Sequence, residues 1–347
     1  MRGAVSKNKG LRGRLTFFLR LSVSVALVWI ILTKIEWIGL VQVVQNTTLF
    51  HILVFIILSI LLTFLLIWVS CLRWQILLAT RQIRIPMVKL FGLYVIGYFF
   101  NNLLPSNVGG DVVRTYELRR YTSHTSESVA SVFLERFVGA SALVFMAALS
   151  LIINWTLFSR SPLFWVIIGI LGAYGGGVWL IFDRRALKAI MGRISIKALA
   201  RIGSKLKEVH DSIYRFREDK GVIARTFLLS ILYNILAILN VQVCFFGLNI
   251  PVPLWDTAVA VPIVLLVAML PISLGGLGLN EGAYVYVYSL FGIVVPLTFS
   301  AALLLRAQTI LTGALGGVFY GLQKRGTPRL EQAAKEVQPE LQQDHLG

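Results

Sequence analysis

The chain has 347 residues, 57% of them hydrophobic, and a mean hydropathy of +0.78. That excludes an ordinary soluble domain and points to a polytopic helical membrane protein, and the absence of strand-like alternation argues against a membrane barrel. The formal net charge of +17 is expected on cytoplasmic loops facing anionic lipid rather than on nucleic acid, because the basic residues border apolar runs throughout.

Residues 1–14 are basic and Leu15–Thr33 is apolar. No small-x-small cleavage site follows, and Trp29 and Trp37 read as interface anchors, so this is an uncleaved first span with a cytoplasmic N-terminus. His51–Ser70 is the second span. Arg73, Arg81, Arg84 and Lys89 return the chain to the cytoplasm, with Arg73 and Trp74 at the interface.

Leu90–Leu104 is shorter than the roughly 20 residues a crossing needs. It runs into Asn101–Arg114, which reads NNLLPSNVGGDVVR, and then into a basic stretch at 114–120. A full crossing would put those charges outside, so a re-entrant hairpin from the cytoplasmic side is expected. Val129–Ile153 then spans outward, with Glu135 and Arg136 inside its first turns, and Ser161–Phe182 returns, with Gly172-x-x-x-Gly176 as a close-packing face.

Across 184–220, apolar residues recur every three or four positions between lysines and arginines. This predicts a basic amphipathic helix, either on the inner leaflet or docked on the protein's own cytoplasmic face. Val222–Phe246 crosses outward. Thr257–Leu270 is a second short run that ends in LPISLGGLGLNEG, and Gly282–Val295 is a third. Leu297–Tyr320 is the last span, and its Gly313-x-x-x-Gly317-x-x-x-Gly321 ridge suits an internal contact or a homo-oligomer equally well. Residues 326–347 are polar and read as a disordered cytoplasmic tail.

Of the 33 Lys and Arg, only Lys34 and Arg160 fall on predicted outside loops. That asymmetry also sets the two copies of Leu-Pro-x-x-x-Gly-Gly, at Leu104–Gly110 and Leu270–Gly276, on opposite sides. The predicted fold is therefore all-α, with about six full spans and two broken hairpins. It forms a single membrane domain over 15–325, whose halves 15–182 and 222–320 are inverted repeats.

The chemistry concentrates in the two motif copies. Breaking a helix at Pro105 and Gly109-Gly110, or at Pro271, Gly275-Gly276 and Gly278, exposes backbone N–H groups suited to anions. Asn101, Asn102, Ser106 and Asn107 add hydrogen-bonding side chains. Arg114 can take a phosphate in bidentate fashion with Asp111 orienting it, or the Asp111–Arg114 pair can simply cap a helix. Glu135, Arg136, Glu281 and Arg306 lie at membrane depth, where each charge costs about 2.5–3.5 kcal/mol. They either neutralise one another as two ion pairs or line a cavity for a lipid head group, with Arg136 as a ligand and Glu135 or Glu281 carrying a proton. No metal-ligand spacing, catalytic constellation or cofactor motif is present, so neither an enzyme nor a cofactor is expected.

Taken together, NNLLPSNVGGDVVR, SVFLERFVG and LPISLGGLGLNEG resemble the flippase-like membrane domain of the lysylphosphatidylglycerol synthase family. This is the membrane half of the bacterial multiple peptide resistance factor, also found fused to archaeal glycosyltransferases. The resemblance covers roughly residues 14–325. It implies a lipid translocase fold with re-entrant segments in a bacterial or archaeal cytoplasmic membrane. By position, the family pattern falls on Asn101, Pro105, Gly109, Gly110, Asp111, Arg114, Glu135, Arg136, Gly139, Pro271, Gly275, Gly276, Gly278 and Glu281. The resistance factor carries a soluble aminoacyl-transfer domain after its membrane half. Only a short polar tail follows Tyr320 here, so synthesis of lysylphosphatidylglycerol by this chain is not expected. The expected partners are membrane lipids with anionic or polyprenyl-phosphate head groups. The alternative is a non-transporting accessory subunit of a cell-envelope lipid or glycosyltransferase system.

Overall fold

The structure, a computed structural model, describes residues 21–30, 33, 45–103, 109–119, 125–182 and 219–325. The basic N-terminus, the Leu104–Val108 link with Pro105 and Ser106, the amphipathic segment up to residue 218 and the polar tail lie outside the described residues. Within them every regular element is helical: α1 (Leu21–Ile30), α2 (Leu49–Ala79), α3 (Met87–Leu103), α4 (Gly109–Leu118), α5 (Thr125–Ile153), α6 (Trp155–Phe158), α7 (Leu163–Phe182), α8 (Lys220–Gly247), α9 (Leu254–Ala268), α10 (Leu279–Leu290) and α11 (Val295–Arg325).

Helices α2, α5, α8 and α11 are each long and apolar enough to cross a membrane. At 1.5 Å per residue, the 31 residues of α2 extend about 46 Å. Its outward face carries Leu53, Ile56, Ile57, Ile60 and Phe64, all exposed, as a lipid-facing surface requires. The other face reverses that pattern and buries Ser70, Arg73 and Trp74. The helix therefore runs nine residues past Ser70, where the sequence placed its end. Arg73 and Trp74 are not interface anchors: both are buried, at 6% and 0% exposure.

The short apolar runs form two helical hairpins. In the first, the 17 residues of α3 reach only about 25 Å, and α4 packs back along them. Gly97 and Gly110 let the two backbones approach, and Asn101 Oδ1 accepts the Gly110 N–H at 2.7 Å. In the second, α9 and α10 pack together across a tight turn at 269–278. Gly275, Gly276 and Gly278 take φ of +56°, +74° and +76° there, a region that side-chain-bearing residues rarely enter. A Cβ at Gly278 would also press on Leu27 of α1, whose Ser24 Oγ accepts the Leu274 N–H at 2.9 Å. Gly278→Ala is expected to cost about 1–3 kcal/mol, from backbone strain and the loosened α1 contact, read as a lower unfolding midpoint in detergent.

The contacts between helices repeat in matching order. In the first stretch α2 packs on α3, α3 on α4 and α4 on α5; in the second α8 packs on α9, α9 on α10 and α10 on α11. Between the stretches, α2 packs extensively on α8, α3 on α11 and α9 on α5. Gly313 and Gly317 of the α11 ridge, with Gly316, seat against Tyr98, Val95 and Phe99 of α3, so the ridge makes an internal contact; Gly321 meets nothing within 4 Å among the described residues. Gly172 and Gly176 likewise meet nothing there, so the close-packing face expected on α7 has no described helix against it.

Candidate functional site

A cavity of about 1100 Å³ opens between the two hairpins and is lined by α2, α3, α4, α5, α8, α9, α10 and α11. Asn101, Asn102, Asp111, Arg136, Gly275, Glu281 and Arg306 lie on its wall. Gly109, Gly110, Arg114, Glu135, Pro271, Gly276 and Gly278 do not. The sequence-derived residues thus divide into a cavity wall and a layer outside it.

Behind the wall on the first-hairpin side lies a chain of alternating charges. Glu135, 1% exposed, accepts from Arg73 through one oxygen and from Arg114 Nη2 through the other at 2.9 Å. Arg73 also donates to Ser230 Oγ at 3.0 Å, and Gly139 leaves room for its guanidinium. Arg114 is 2% exposed, held over the rings of Trp74 at 4.4 Å and Tyr94 at 4.0 Å. Its Nη1 lies 3.4 Å from Asp111, which in turn takes Arg136 through both oxygens, at 2.8 and 2.9 Å. The order is Arg73, Glu135, Arg114, Asp111, Arg136. Three arginines against two carboxylates leave one positive charge in excess. The chain ends on the cavity wall at Arg136, whose side chain is 53% exposed.

On the second-hairpin side, Arg306 donates Nε to Glu281 Oε1 at 2.8 Å, Nη1 to the Gly275 carbonyl at 3.1 Å and Nη2 to the Gly276 carbonyl at 3.0 Å. Glu281 Oε2 accepts the Gly278 N–H at 2.8 Å. This turn therefore offers carbonyls to an arginine, and its Gly278 N–H is taken by a carboxylate. In the first copy the Gly110 N–H is likewise occupied, by Asn101. The Gly110 and Gly278 N–H groups thus serve internal contacts rather than facing an anion.

The four charges do not close into two ion pairs among themselves: Glu281 pairs with Arg306, whereas Glu135 and Arg136 find partners outside the set. The pairs Asp111–Arg136 and Glu281–Arg306 occupy matched places. Each carboxylate is the third residue of a hairpin's second helix, each arginine is the twelfth residue of the long helix that follows, and each pair is 25 positions apart.

Sequence reasoning missed a neutral cluster on the wall. Asn240 and Gln308 exchange amide hydrogen bonds at 3.1 and 3.0 Å, and Gln308 Nε2 donates to Thr63 at 2.7 Å, joining α8, α11 and α2. The available signal was two carboxamides inside membrane-length apolar runs, where polar groups need internal partners. Among the described residues no cluster of His, Cys, Asp or Glu could hold a metal ion.

Comparison with known proteins returns membrane proteins. The profile of the family described as "Lysylphosphatidylglycerol synthase TM region" matches residues 17–317. Two proteins of Methanothermobacter thermautotrophicus, each named UPF0104 membrane protein, are 27% and 25% identical, over 73% and 75% of this chain and 80% and 81% of their own length. The UPF0104 membrane protein PH1989 of Pyrococcus horikoshii is 23% identical over 76% of this chain and 85% of its own. No solved structure matches.

Proposed function

The chain belongs to the lysylphosphatidylglycerol synthase transmembrane-region family and is a multi-pass membrane protein, and from that premise we propose that it moves a lipid with an anionic, phosphate-bearing head group between leaflets. The observation that carries this reading is the excess positive charge that reaches the cavity at half-exposed Arg136. A phosphate diester or monoester there balances the buried chain, and Arg136 Nη1 adds a donor beyond the two given to Asp111. A volume of about 1100 Å³ exceeds the roughly 300–1000 Å³ of ordinary ligand clefts, enough for a head group with the first segments of its acyl or polyprenyl chains. The Asn240–Gln308–Thr63 cluster and the asparagines of α3 offer the head group polar partners where hydrocarbon would offer none.

Of the two arginines expected to hold the head group, Arg136 keeps that role and Arg114 does not, because Arg114 is enclosed by Trp74, Tyr94 and Glu135. Glu135 and Glu281 act as fixed counter-ions rather than proton carriers, since both oxygens of each already accept a hydrogen bond from an arginine or a backbone N–H. The matched contacts and matched carboxylate–arginine pairs support reading the two stretches as inverted repeats whose hairpins gate the cavity from opposite sides.

Proteoliposomes carrying fluorescent phosphatidylglycerol, polyprenyl phosphate or phosphatidylcholine test this. Wild-type protein is expected to expose inner-leaflet anionic label to an external quencher faster than empty vesicles, and Arg136→Gln to lose at least about tenfold of that rate. Anionic lipid that binds without crossing favours the accessory-subunit reading instead.

A further inference from the structure

We infer that Asp111 is a built-in competitor for the head-group site: it occupies Arg136 as an anionic ligand would, and binding of that ligand requires Asp111 to let go, freeing the first turn of α4 from Arg136 of α5. The inference rests on the cavity reading proposed above and adds how the site is regulated.

The geometry separates two pairs that the fold places alike. Arg306 is bound by Glu281 and by two backbone carbonyls, and Glu281 is bound back onto the turn at Gly278, so that pair is a brace within one hairpin and its neighbouring helix. Among the described residues, Asp111–Arg136 has no comparable backbone anchor. Arg136 gives Asp111 the fork of Nε and Nη2, the same two-pronged contact it would give a phosphate. Its side chain is 53% exposed, against 20% for Arg306.

Asp111 has somewhere to go. Arg114 Nη1 is already 3.4 Å away, close enough that Asp111 can shift fully onto Arg114 when a phosphate takes Arg136. The exchange leaves no charge unpaired: with the ligand, three arginines face three anions. It also loosens the start of α4 at the cavity edge, because Asp111 sits in the first turn of α4 and its fork with Arg136 ties that turn to α5, while Arg114–Glu135 still holds the next turn of α4 to α5. A zwitterionic head group supplies no net charge to drive the exchange. The latch therefore selects for net negative charge as well as coupling occupancy to movement of α4.

The test uses full-length protein in detergent and water-soluble dihexanoyl phosphatidic acid, with dihexanoyl phosphatidylcholine as the neutral probe. If the latch is closed about nine-tenths of the time, removing it tightens apparent affinity about tenfold. Asp111→Asn is thus expected to bind phosphatidic acid about tenfold more tightly than wild type. Glu117→Gln, which removes the same charge from the same helix, is expected to change little. Hydrogen exchange on wild-type protein needs no variant: phosphatidic acid, and not phosphatidylcholine, is expected to speed exchange over residues 109–118. If Asp111→Asn binds phosphatidic acid no tighter than wild type, or Glu117→Gln tightens binding equally, the latch is overturned while the cavity reading stands. Protection rather than acceleration of 109–118 also overturns it. If Arg136→Gln binds phosphatidic acid as wild type does, both readings fail.

Discussion

Glu135→Gln is expected to destabilise the protein by about 3–5 kcal/mol, the cost typical of breaking a buried ion pair and leaving its partner charged. Here two partners are stranded. Arg73 and Arg114 both point at Glu135, and neither reaches solvent, at 6% and 2% exposure. Glutamine matches glutamate in shape, so the loss is electrostatic rather than steric. Asp111, 3.4 Å from Arg114 and already held by Arg136 through both oxygens, compensates Arg114 only in part. Thermal unfolding in detergent should show the drop. The double substitution Arg73→Leu with Glu135→Gln removes one charge of each sign and is expected to recover a large share of it, because apolar replacement of a buried pair is often close to neutral. Equal melting of wild type and Glu135→Gln would mean that the alternating charge chain does not hold the core together.

The second large effect is expected at Gly110. A methyl group there would overlap the Gly97 carbonyl, and Asn101 Oδ1 would lie 2.8 Å from it. The obstacle is backbone on backbone, so no side-chain rotation relieves it and the hairpin must part. Overpacking of this kind costs about 1–3 kcal/mol. The functional cost should exceed the stability cost, because Asp111 follows Gly110 directly and would shift with α4 away from Arg136. Gly110→Ala is therefore expected to lower the unfolding midpoint and to weaken discrimination between anionic and neutral lipid in a binding assay. Gly321→Ala is the fitting control, since nothing among the described residues lies within 4 Å of its Cβ position.

Much of the fold is legible in the residues themselves. Run length separates the long helices from the hairpins, and the two Leu-Pro-x-x-x-Gly-Gly stretches mark where the hairpins turn. That Glu281 and Arg306 find ion-pair partners is foreseeable, because charges at membrane depth seek opposite charges, but which charge meets which is not. The site is less legible, for reasons that particular residues make clear. Arg73 looks like the end of a span because an arginine normally stops an apolar run. It sits inside α2 only because Glu135, 62 positions away, carries its charge. Arg114 looks like a phosphate ligand because nothing local reveals that Trp74 and Tyr94 enclose it.

The motif copies mislead in a related way. The same Gly-Gly starts a helix against Gly97 in one place and forms a left-handed turn in the other. The glycines of α7 show the limit of pattern alone: small residues permit close approach but do not name the helix that approaches.

The central claim is that a negatively charged lipid head group occupies the cavity and is held by Arg136. An electron-microscopic structure of the protein in nanodiscs of mixed phosphatidylglycerol and phosphatidylcholine tests it most directly. The account predicts head-group density between the two hairpins, with phosphate oxygens in hydrogen-bond reach of Arg136 and the density lost in Arg136→Gln. A cavity without lipid density, or density unchanged by that substitution, would contradict it.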